Sequence, residues 1–349
     1  MPGLSIRAPF AWLGPGRLAS EVQVDCDGAT VASVGPFHAV PEGAELIAVG
    51  GFLMPAAADR HVHIELGDPV VMLQRGVTAV RDLAWPADRI FGLADASELP
   101  GFNGPLIRAA GPMLTGAGGY PTAAAWAPAG TAREVTSPEE ATAAVHELAR
   151  LGAAAIKVSL NAEDGPTPSD AALFAICDAA RAADLPVTAH AQGEGQVERA
   201  LGAGVDELAH TPWTHRLGDD AIAMAAGRMR WVSTLAIHGP AGTPELRTAL
   251  DNLRRFHAAG GEVVYGTDLG NGDIASGIHT GELRLLREAG LDADATFTAL
   301  TRAPLEPGAP ADLIVASDSP VSDPGALDDL LVVVRAGRVV MRRGDSSSP

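Results

Sequence analysis

Six residues suited to holding a metal, each at the end of a short apolar run, limit what this chain can fold into more than any other feature. His61 and His63 close Asp59-Arg60-His61-Val62-His63, after Gly51-Phe52-Leu53-Met54-Pro55. Lys157 follows Ala153-Ala154-Ala155-Ile156, and His190 follows Leu185-Pro186-Val187-Thr188-Ala189. His210 follows Val205-Asp206-Glu207-Leu208-Ala209, and Asp268 ends Glu262-Val263-Val264-Tyr265-Gly266-Thr267. Ala-rich stretches of helical period separate these runs. Short apolar runs alternating with such stretches read as βα units, and their repetition implies a parallel sheet. In a parallel barrel every strand's carboxyl end opens on one face, so residues far apart in sequence meet there.

The expected fold is therefore α/β: a (β/α)8 TIM-type barrel with a small β-sandwich domain formed by both chain ends. The eight strands are placed to end at His61, then at Thr78–Arg81, Pro105–Ala109, before Lys157, before His190, before His210, at Arg230–Ser233 and before Asp268. Helices are predicted from about Ser137, from near Ser169 to before Leu185, over Gln196–Leu201, over Leu246–Ala259 and from near Thr280. Outside them, Val22–Asp25 and Thr30–Val34 flank a turn at Asp27-Gly28, while Leu330–Val334 and Arg338–Met341 flank one at Ala336-Gly337. The division expected is 1–52 for the first part of the β-domain, 53–304 for the barrel, 305–345 for its second part and 346–349 for a polar tail.

A length of 349 residues with 47% hydrophobic content accommodates one barrel and a small accessory domain. No run of ~18 apolar residues is free of charge or proline, and Met1–Gly16 lacks the pattern of a secretory signal, so a cytoplasmic location is expected. The formal charge of −18 repels polyanions and disfavours nucleic acid or an acidic membrane as partner. A small-molecule substrate is the expected partner, and the sequence leaves a homo-oligomer open. Cys26 and Cys177 fall on different predicted domains, so no disulfide is expected.

Three or four imidazoles and a carboxylate suit zinc or another borderline divalent ion. Lysine is a cation at its reference pKa of ~10.4 and repels metal. It becomes a ligand when CO2 adds to the amine, giving an anionic carbamate whose two oxygens can bridge two ions. Rival motifs fail: His146-Glu147 is followed by Arg150 where a zinc-protease helix needs histidine, Gly270-Asn271-Gly272 lacks the dinucleotide spacing, and no Gly-x-Ser-x-Gly is present.

The order His-x-His, Lys, His, His, Asp resembles the amidohydrolase superfamily, in its binuclear branch with a carboxylated strand-four lysine. Arg75–Asp82, Ala110-Gly111-Pro112 with Gly118-Gly119, Ile156-Lys157-Val158, Ala203-Gly204-Val205 and Gly266-Thr267-Asp268 followed by Gly281-Glu282-Leu283 agree with it. Leu305–Val315 is similar to the return to the β-domain in the imidazolonepropionase-like and prolidase group. The resemblance implies two divalent ions, with His61, His63 and Asp268 on the more buried one and His190 and His210 on the more exposed one. Lys157, as its carbamate, would bridge them. It also implies a metal-bridging hydroxide that attacks an amide carbonyl, with Asp268 accepting its proton, in a small N-acyl amino acid, dipeptide or cyclic amide. Asp59 is the expected orienter of His61.

Lactone or ester hydrolysis is the alternative on the same site. A mononuclear heterocycle deaminase would need glutamate three residues after His190, where Gly193 stands and Glu194 is one place too far. A non-catalytic barrel would be expected to lose ligands. Tyr120, where relatives often carry histidine, either hydrogen-bonds a substrate oxygen or packs on Pro121. His238 is the best substrate contact among His215, His238 and His279 on the rim. Trp126 and Trp213 are candidates for the pocket wall, His38, His146 and His257 for the surface, and Arg81 with Asp82 for a structural ion pair. Short loops, such as Ile64–Gly76, predict a wide mouth.

Overall fold

A computed structural model describes residues 3–344, and the tail expected at 346–349 lies outside them. Eight parallel strands lead to the candidate residues, with His61, Lys157 and His190 on them and His63, His210 and Asp268 just beyond their ends: β1 (Ala57–Val62), β2 (Val77–Asp82), β3 (Leu106–Ala109), β4 (Ile156–Asn161), β5 (Val187–Gln192), β6 (Glu207–Leu208), β7 (Arg230–Val232) and β8 (Glu262–Val264). β1 to β3 form one sheet, and β4 to β8 form a second with two short strands, Met113–Thr115 and Ala132–Glu134, beside β4. Backbone bonds cross from one sheet to the other at both edges. Arg60 N–H donates to Tyr265 O at 2.9 Å and Asp268 N–H to His61 O at 2.8 Å, while Ala154 N–H donates to Ala109 O at 2.8 Å.

The connecting helices begin where the sequence puts oxygen acceptors. Ser137, Ser169 and Thr243 cap Pro138–Arg150, Asp170–Ala182 and Pro244–Ala258, each side chain accepting from a backbone N–H three residues on. Each helix buries one stripe, as Ala141, Ala144, Val145 and Leu148 do in the first. Gln196–Ala203 and Thr280–Glu288 also form where predicted.

Both chain ends share one eight-stranded mixed sheet. Phe52–Pro55 lies inside it, antiparallel to Leu313–Ala316 and parallel to Leu4–Trp12. The run expected to lead directly into His61 is thus a separate strand. Pro55 cannot donate to a ladder, and Ala56 N–H turns to Asp312 O at 3.0 Å before β1 begins. The turn at Ala336-Gly337 has φ of 49° and 71°, the type I′ geometry that suits a two-residue hairpin. Ile6, Val24, Leu53, Leu313, Val315 and Val332 close a second core in this sheet, apart from the main one. Cys26 lies in this second core and Cys177 in the main one, both unpaired. No helix among the described residues is long and apolar enough to cross a membrane.

Two strands are shorter than expected. The sixth keeps only Glu207–Leu208, and the eighth stops at Val264 because Tyr265–Leu269 bends away to bond with β1. Arg81 and Asp82 do not pair. As neighbours in a strand they point to opposite faces, so Arg81 reaches Glu207 while Asp82 accepts from Ile64 N–H at 2.8 Å.

Candidate metal centre

His61 lies in β1 and His63 one residue past its end, and the ladder to β2 is irregular between Asp59 and Val62. Asp268 arrives from the segment after β8 in a left-handed conformation, φ 57°, held by its bond to His61 O. Its Oδ1 lies 3.1 Å from His61 Nε2 and 3.5 Å from His63 Nε2. The ligating atoms of these three buried residues fall within 4.8 Å of one another, a spacing able to hold one ion.

His210 and His190 complete the ring of imidazoles: centroids are 4.6 Å apart for His61 and His210, and 4.8 Å for His190 and His210. Each histidine uses one nitrogen on the protein. His61 Nδ1 bonds Ala209 O at 2.8 Å, His63 Nδ1 bonds Ala84 O at 3.1 Å and His210 Nδ1 bonds Thr234 Oγ1 at 3.0 Å. His190 differs, using Nε2 on Gln192 Oε1 at 3.1 Å. A ring N–H given to a carbonyl leaves the other nitrogen as a lone pair, the form a metal needs. Burial also disfavours the imidazolium: it holds His61 and His210 well below the usual histidine range and His190 at about 4.

Lys157, second in β4, is fully buried, and its Nζ has no hydrogen-bond partner. Burial lowers it to about 7, against the opposing pull of Asp268 and Glu207, so the amine is easily neutral. Asp268 shows the reverse balance. Burial opposes its ionisation, but His61, His63 and His210 hold it well below the carboxylate range. Asp59 is wholly buried and braces the floor, accepting from His61 N–H at 3.0 Å, Thr267 N–H at 3.1 Å and Thr267 O–H at 2.5 Å. Desolvation nonetheless pushes it up to about 7.

All six residues open onto one cavity of about 460 Å³. Tyr120 lines it, stacked 5.2 Å from His190, and accepts from Trp126 Nε1 at 3.1 Å, which leaves its own O–H free to donate. Trp126 and Trp213 form walls, as expected. His238 does not line the cavity. Its ring packs 4.8 Å from Trp213, on the short helix that follows β7. His279 caps the Thr280–Glu288 helix instead of facing substrate, and His215 bonds Thr214. Three contributors escaped the sequence reading: Gln192, Thr234, and Asn271, whose Nδ2 donates to Asp268 Oδ2 at 3.0 Å. Gln192 had a signal, standing two residues after His190 on the same strand face.

Residues 70–340 match the Amidohydrolase family. The chain is 28% identical to the uncharacterized protein Rv2915c of Mycobacterium tuberculosis, over 85% of this chain and 87% of that one. Among solved structures it is similar to a Xaa-Pro dipeptidase with methionine in its active site (TM-score 0.81, 21% identity, 97% of this chain and 99% of that one). It is also similar to phenylurea hydrolase B (TM-score 0.82, 19% identity, 99% and 98%). The chain belongs to the amidohydrolase family. It is a hydrolase, and the family's use of metal ions agrees with the cluster of His61, His63 and Asp268.

Proposed function

We propose that the two parallel sheets close into a (β/α)8 barrel, that the ends of the chain form a small β-sandwich beside it, and that the cavity holds two divalent ions. The carrying observation is the donor set: four histidines, each with one nitrogen already committed, Asp268, and a buried lysine with no partner. A buried amine without a partner is costly unless its chemistry changes. A carbamate on Lys157, which lines the same cavity as the four histidines and Asp268, would supply anionic oxygens to the ions. His61, His63 and Asp268 would hold one ion and His190 and His210 the other, with zinc the best fit to nitrogen and oxygen donors.

When bound, such ions supply a water of low pKa and polarise a carbonyl. The chain's own residues do the rest. Asp268 is ionised across the working range and is the base that takes a proton from the attacking water and returns it to the leaving nitrogen. Asn271 fixes the far oxygen of that carboxylate. Tyr120, raised to about 12 chiefly by burial, keeps its proton and can donate to an oxygen that gains charge. The reaction supported best is hydrolysis of an amide in a small substrate, with a lactone or ester the alternative bond on the same site. Deamination is disfavoured because Glu194 is exposed and does not line the cavity.

The test is an amide and lactone screen on protein loaded with zinc and bicarbonate. Turnover abolished by chelator and restored by metal is the expected result. Turnover that survives complete metal removal contradicts the proposal.

A further inference from the structure

Three aromatic rings wall the cavity above the ligand cluster. Trp126 lies 4.4 Å from the His63 ring, Tyr120 stacks on His190, and Trp213 stands 5.4 Å from His210 and 5.9 Å from His190. Met113 and Ile237 add further apolar lining. Besides the six ligand-type residues and the Tyr120 hydroxyl, the polar side chains of the lining are the amides Asn161, Gln192 and Asn271 and the carboxylate Asp164. Among the described residues that line the cavity there is no arginine, and the one lysine is Lys157, buried among the ligands.

Electrostatics at the rim point the same way. Asp164 is exposed, its Oδ2 held by Asn161 Nδ2 at 2.9 Å, and Glu163 accepts from Gln192 Nε2 at 2.7 Å. Two carboxylates therefore sit on the loop after β4, in a chain of net charge −18. Beyond the reach of the metal ligands, a substrate carboxylate loses water, meets no guanidinium or ammonium on the walls and approaches the carboxylate of Asp164. An uncharged aromatic group loses nothing of the kind and gains ring contacts, while an ammonium gains both Asp164 and the ring faces.

We propose that this pocket selects neutral or cationic aromatic amides and excludes substrates that carry a free carboxylate beside the scissile bond, with Trp126, Trp213 and Asp164 setting the preference. This rests on the hydrolase reading and narrows it against N-acyl amino acids and free dipeptides.

The experiment uses a matched set, N-acetylphenylalanine, N-acetylphenylalaninamide and N-acetylphenethylamine, which share the acetyl amide and differ in charge. Each is assayed for kcat/KM on the metal-loaded enzyme and titrated against tryptophan fluorescence, which Trp126 and Trp213 report. The two uncharged compounds are expected to exceed the acid by about a hundred-fold in kcat/KM and to bind more tightly. Asp164→Asn is expected to narrow that ratio about five-fold, mainly through the KM of the acid. An acid turned over as well as its amide overturns the inference. If none is hydrolysed, binding decides: uncharged ligands bound more tightly uphold the selectivity and count against the hydrolase reading. Equal binding, or no binding of any of the three, overturns the selectivity itself.

Discussion

Lys157 sets a charge problem that the folded chain does not solve with its own side chains. Its amine is fully buried without a partner, and burial lowers it from 10.5 to about 7. Between those values the unfolded chain binds a proton that the folded one does not, so stability rises with pH through that window and the penalty is full below about 7. In metal-free protein, Lys157→Met is expected to raise the Tm at pH 6 and to lose that advantage near pH 10.5. A gap that does not change with pH would contradict the burial argument. At Asp268 the expectation concerns rate: Asp268→Asn should lower turnover at least ~10²-fold on the preferred amide, and an unchanged kcat excludes it as the base. The six ligand-type residues were legible because strand ends deliver them and their order is distinctive. Thr234 and Asn271 were not, since Thr234 reaches His210 from a left-handed backbone at φ 41° and Asn271 follows the similarly turned Asp268. Nothing in the local sequence announces either turn.

Between elements, Asp59 is the joint. It sits in β1, yet two of its three donors belong to Thr267, just beyond β8, so one carboxylate fixes His61 and Asp268 relative to each other. Asp59→Ala leaves buried N–H groups unpaired and is expected to cost about 2–4 kcal/mol, read by urea denaturation of the metal-free protein. A loss below ~1 kcal/mol would show that water takes over the bonds. Two helices were legible from their first residues, Ser137 and Ser169, while Ala87–Ser97, Asp219–Ala226 and Ala293–Leu300 were not placed. Strand limits were less so. Periodicity cannot separate Phe52–Pro55 from β1, because both runs are apolar and only long-range pairing assigns the first to the end sheet. The Arg81–Asp82 pair failed for a similar reason: adjacency in sequence is not adjacency on a strand face.

At the scale of the molecule, polar contacts fasten the end sheet to the parallel strands and their helices, Arg335 and Arg338 reaching the Ser97 and Phe102 carbonyls among them. Trp12 Nε1 donates to Asp294 Oδ1 at 2.7 Å, and its ring meets Phe297 edge-on at 5.5 Å, tying Leu4–Trp12 to the helix Ala293–Leu300. Trp12→Ala is expected to cost about 3–5 kcal/mol, and a variant as stable as the parent would show that this fastening is dispensable. The alternation of strand and helix made the α/β class legible, whereas the pairing of both chain ends in one sheet was suggested only by their shared strand-and-turn character. The central claim, a pair of ions bridged through Lys157, is tested most directly by metal content. Protein expressed with zinc and bicarbonate and purified without chelator should carry about two ions per chain by mass spectrometry, with Lys157→Ala carrying fewer. One ion per chain, unchanged in Lys157→Ala, would contradict the bridge, and none would contradict the metal centre.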